Sequence, residues 1–99
     1  MELTLDQALQ KGIKAHRAGK VQQADCYYTA ILKVNPKHPD ANHNMGVLAV
    51  SIGRIEQALQ FFMTALEANP NVAQFWLSYI DTLIKLNRIV KCKIHKSLV

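Results

Sequence analysis

Slid along itself until Gly12 falls on Gly46, the chain matches at the residues that punctuate backbone geometry. In that register Gly19 falls on Gly53, and Asn35-Pro36 on Asn69-Pro70. Between these markers Ala15 falls on Ala49, Gln23 on Gln57, Ala24 on Ala58, Tyr28 on Phe62 and Leu32 on Leu66. All 4 glycines take part. A second shift of the same length carries Lys20 to Arg54 to Arg88, and Val21 to Ile55 to Ile89. One supersecondary unit is therefore used repeatedly, and each copy needs its neighbour to bury an apolar face.

Inside each unit the apolar period is helical. Ala8, Gly12 and Ala15 stand at i, i+4 and i+7, and Ala24, Tyr28, Ile31 and Leu32 keep the same rhythm. Gly19 and Gly53 mark left-handed turns that end a helix. Asn35-Pro36 ends the next one, because a residue before proline is pushed out of the α region. Pro39 can open the helix after it, where a missing N–H is harmless. The expected helices span 4–18, 21–34, 39–52, 55–68 and 72–86. Small residues at Gly12, Ala15 and Ala24 let paired axes approach, and Tyr28 and Phe62 fill the remaining space.

Two antiparallel helices per unit, with these glycines, alanines, aromatic rings and prolines at these places, resemble tetratricopeptide repeats. Trp76 stands where that family often carries tryptophan early in a first helix. The resemblance implies an all-α fold, a solenoid of antiparallel helix pairs with about two and a half repeats. Residues 4–37 form the first repeat, 38–71 the second, and 72–88 the first helix of a partial third. Residues 89–99 form a basic C-terminal segment, expected as a weak closing helix, although Ile89 to Ile94 also alternate as a strand would. Lys11 stands where the family has leucine, which leaves the outer side of the first helix solvated.

Stacked pairs curl so that first helices line the inner surface. Steps of one repeat place Leu9, His43 and Leu77 in one row, Ile13, Val47 and Asp81 in a second, and His16, Val50 and Ile84 in a third. Gln10, Asn44 and Ser78 form a polar row beside them. This face is expected to take a protein or peptide partner, an extended segment or one side of a helix. The family's chaperone-tail clamp is not kept. Of its five carboxylate-binding groups only Asn44 survives, with Leu9, Ile13, Gln74 and Ser78 at the other positions, too little to balance a buried carboxylate.

Charge and chemistry narrow the remaining classes. The net charge of +5 comes from Lys85, Arg88, Lys91, Lys93 and Lys96, since acids and bases cancel up to Ile84. That segment is a candidate for binding an anion or an anionic surface. No aromatic residue follows Tyr79, so base stacking has no platform and nucleic acid is disfavoured as a partner. His16, His38, His43 and His95 make no metal-binding pair, and Cys26 and Cys92 no zinc spacing. No cofactor, metal or catalytic set is expected, and the chain is read as a non-enzyme. With 49% hydrophobic residues it is too apolar for a disordered chain, yet no run approaches the ~20 residues of a membrane helix. The expected compartment is the cytoplasm. An incomplete third repeat leaves Trp76, Leu83 and Leu86 partly uncovered, which predicts a homodimer through the open C-terminal end, or further chain beyond it. The alternative function is the N-terminal repeat region of a larger, transferase-like bacterial enzyme.

Overall fold

The computed structural model describes the backbone of residues 3–98 and the side chains of residues 3–91. Five helices follow one another, α1 (Leu5–Arg17), α2 (Val21–Val34), α3 (Pro39–Ser51), α4 (Ile55–Ala68) and α5 (Ala73–Leu98). Among the described residues there is no strand. Consecutive helices pack as antiparallel hairpins, and α3 also touches α1 and α5, giving an elongated array of 59 × 29 × 20 Å.

Local chemistry sets the ends. Thr4 caps α1 by a reciprocal box: its Oγ1 accepts from the Gln7 N–H at 3.1 Å, and Gln7 Oε1 accepts from the Thr4 N–H at 3.0 Å. Gly19 and Gly53 take φ of 77° and 82°, the only positive values among the described residues. Each closes a six-residue reversal: the Lys20 N–H donates to Ala15 O at 2.8 Å, and the Arg54 N–H to Ala49 O at 2.9 Å. Extended Asn35 and Asn69 stop α2 and α4 ahead of their prolines.

Inter-repeat corners are held by one device in two chemical forms. Asn42, 3% exposed, donates from Nδ2 to Pro36 O at 3.0 Å and to His38 O at 2.9 Å. One repeat later Trp76 occupies the same register, and its Nε1–H donates to Pro70 O at 2.7 Å. Both side chains reach back from the first turn of a helix to the proline carbonyl before it.

The core is the sequence pattern made solid. Ala24, Tyr28, Ile31, Ala58, Phe62 and Ala65 are essentially inaccessible. The Tyr28 ring lies against Gly12 so closely that a Cβ there would stand 2.6 Å from it; at Gly46 the Phe62 ring leaves 2.5 Å. These glycines are needed for approach rather than for conformation.

Four helices match their expected spans within a residue or so at each end; the last does not end near Leu86. α5 runs unbroken for 26 residues, so residues 89–98 continue that helix instead of forming a separate closing one. The cause is Asn87, which stands in the register of Gly19 and Gly53. No described non-glycine residue has positive φ, and Asn87 stays helical. Without the left-handed residue the chain does not turn back.

Candidate functional site

Between α3 and α5 the surface opens into a cleft of about 340 Å³. Val47 and Val50 of α3 line it with Phe62 of α4, and α5 contributes Gln74, Ser78, Asp81, Thr82 and Lys85. Phe62 and Thr82 are buried and form its base, whereas Asp81 and Lys85 meet solvent. Their side chains pair at 3.0 Å, one turn apart. One wall is thus mostly apolar, with Ser51 beside the valines, and the other carries an amide, a hydroxyl and a carboxylate–ammonium pair.

His43 fixes the polar wall from behind. Its ring stacks on Phe75 at 4.8 Å and tilts against Phe62 at 5.4 Å. Nε2 shares a hydrogen bond of 2.8 Å with Ser78 Oγ, which tethers α3 to α5. Burial pushes the imidazole below its ordinary value; Asn44 and the Asp40 carboxylate work against that shift. The Ser78 carbonyl accepts from Thr82 Oγ1 at 2.7 Å, so the Thr82 hydroxyl is held by the helix backbone while that of Ser78 is held by His43.

The twelve expected inner-face residues separate into groups. Val47, Val50, Ser78 and Asp81 converge on the cleft. Leu9 and His43 are buried in contacts between repeats and face no ligand. His43 is covered by Ser78 and Phe75 of the next repeat's first helix, and Leu9 belongs to the core cluster that includes Met45 and Leu48. Leu77, next in that row, is 61% exposed, because no described element follows α5. Ile84 is likewise exposed, outside the cleft. Gln10, Ile13 and His16 lie on α1 away from it, and half-buried Asn44 does not line it.

Lys85, expected as an anion ligand, edges the cleft. Arg88 and Lys91 are exposed and follow Lys85 at steps of three residues, so the three bases neighbour one another along the surface of α5. Lys93 and Lys96 lie outside the described side chains. Gln74 and Thr82 are the additions that row-counting missed. Their signal was the i, i+4 relation of each to Ser78.

Other features carry less chemistry. A wider hollow of about 610 Å³ at the N-terminal end is lined by Leu3, Leu5, Ala8, Tyr27, Ala30, Ile31 and Val34, with Thr4 and Cys26. Among the described residues no group of His, Cys, Asp and Glu is placed to hold a metal ion. None of the described helices is long and apolar enough to cross a membrane.

A tetratricopeptide repeat profile matches residues 15–77. The chain is also similar to the cellulose synthase operon protein C of Komagataeibacter xylinus, 33% identical over 69 residues. That match covers 70% of this chain and 5% of the relative, so these repeats correspond to a small part of a much longer protein. With the helical hairpins and the glycine, aromatic and proline register, this places the chain in the tetratricopeptide repeat family. Such repeats generally mediate protein–protein interaction.

Proposed function

We propose that the chain is a non-catalytic interaction module that holds an extended segment of another polypeptide between α3 and α5. The cleft itself carries this reading, with an apolar wall of Val47 and Val50 facing Gln74, Ser78 and Asp81. The valines would take small apolar side chains, and the polar wall would meet the amides and carbonyls between them. A variant of the proposal has the repeats present a partner to a catalytic domain elsewhere in a longer protein. The match to a relative of which these repeats make up 5% fits that arrangement. The exposed apolar face of α5 favours, in addition, the pairing of two copies through their C-terminal ends.

Peptides selected from a displayed random library on the full chain test the cleft. Replacing Val47→Glu together with Val50→Glu should reduce their capture at least about tenfold, with helical circular dichroism unchanged, since a charge facing a small apolar side chain loses both contact and desolvation energy. Equal capture by the double variant overturns the assignment. Capture that instead disappears on removing residues 88–99, and falls steeply with salt, moves the site to the basic segment.

A further inference from the structure

α5 is apolar on two faces. Phe75, Tyr79 and Thr82 pack on the preceding hairpin. The other face presents Trp76, Leu77, Ile80, Leu83, Ile84 and Val90, each between 39% and 61% exposed. Counting back by whole repeats shows what covers such a face elsewhere. Ile80 corresponds to Gly12 and Gly46, whose missing side chains admit the rings of Tyr28 and Phe62. A branched side chain fills that space in α5, so a hairpin partner of the same design has no seat. The face suits a different occupant.

We propose that this occupant is α5 of a second copy of the chain, packed antiparallel about a two-fold axis near Leu83 and Ile84. The inference rests on the reading that two copies pair through their C-terminal ends, and adds the partner face, the direction and the contacts. Spacing is the first argument. Starting from Trp76 and ending at Lys91, the residues of this face follow at intervals of 1, 3, 3, 1, 3, 3 and 1, a series that reads the same backwards. Reversal therefore maps the face onto itself, as it does any stripe of seven-residue period, so spacing permits an isologous interface and charge has to select it. Leu83 and Ile84 meet their own copies, Leu77 meets Val90, and the Lys91 ammonium comes beside the Trp76 ring, where a cation is welcome. Ile80 against Asn87 is the one polar–apolar match, and it holds the pairing below that of a wholly apolar seam.

Charge complementarity fixes the direction. Asp81 and Arg88 stand two turns apart along one border of the face. Antiparallel packing brings each Asp81 within about 3 Å, measured along the axis, of Arg88 of the second copy. Two symmetry-related ion pairs result. Parallel packing would carry Asp81 and Arg88 of the second copy to the opposite border of the face, so this ion pair would not form. The link from Asp81 to Lys85 within one chain is solvent-exposed and presents little obstacle to this exchange.

Sedimentation and cross-linking of the full chain test the proposal. The chain should show a monomer–dimer equilibrium in analytical ultracentrifugation; a monomer at every concentration up to the millimolar range overturns pairing itself. Direction is read in a Cys26→Ser, Cys92→Ser background. Ile84→Cys should give a disulfide-linked dimer on oxidation, whereas Leu77→Cys should not, because the two copies of that residue lie about 20 Å apart along the axis. Cross-linking at both positions, or at Leu77→Cys alone, leaves pairing standing and overturns the antiparallel arrangement. Asp81→Arg or Arg88→Asp alone should weaken the dimer about tenfold, and the two together should restore it. A double variant as weak as either single one removes the ion pair from the proposal.

Discussion

The tightest tolerances in this molecule are set by single side chains, or by the lack of one. At Gly46 the constraint is the Phe62 ring, 1% exposed and unable to retreat. Gly46→Val should therefore overpack the hairpin and lower stability by about 1–3 kcal/mol, against a gain of only a few tenths from helix propensity. Urea unfolding measures the loss, and combining the change with Phe62→Leu should recover part of it. His43 sets a different limit. Burial holds its imidazole below the ordinary value of 6.5, so the unfolded chain takes up a proton more readily than the folded one. The stability tied to the neutral ring is complete above that value and drains away as pH falls through the folded one. The melting temperature of the parent should drop on acidification from pH 7 to about 5.5, and His43→Gln should flatten that dependence. An unchanged slope would assign the acid sensitivity to other groups.

At the scale of the helix, punctuation decided what was legible. Where Gly19, Gly53, Asn35-Pro36 and Asn69-Pro70 mark the ends, sequence spacing places four helices almost to the residue, because left-handed and pre-proline geometry leave few alternatives. Where punctuation fails, so did the expectation. Asn87 tolerates a left-handed turn less readily than glycine, no proline follows, and α5 continues. The corner locks were invisible for another reason: Asn42 and Trp76 share neither shape nor polarity, so no substitution pattern links them. Only the common carbonyl target reveals the shared task. Asn42→Leu should leave the Pro36 carbonyl without its side-chain donor, while His38 O keeps the backbone N–H of residue 42, and destabilise the chain by about 1–3 kcal/mol. The urea midpoint should fall with an unchanged denaturant slope, as expected if the repeats still unfold together.

For the molecule as a whole, the fold could be read from register alone, but the cleft could not. Repeat counting treats Leu9, His43 and Leu77 as equivalent, yet two are buried and one is bare, because exposure depends on whether a further helix arrives. Counting likewise ranked Val47 and Val50 with Ile13 and His16, although only the α3 pair faces a partner wall across an open space. α5 is 26 residues long, against 13 or 14 for every helix before it. At 1.5 Å per residue that makes a rod of about 39 Å, of which roughly the first half is bedded on the preceding hairpin. The remainder overhangs like the long arm of a balance whose fulcrum lies near Phe75 and Thr82. Because that fulcrum lies within the cleft wall, a swing of about 2 Å at the tip moves Lys85 by about 0.7 Å and leaves Ser78 almost still, so the mouth between α3 and α5 keeps its width whatever happens to the free end.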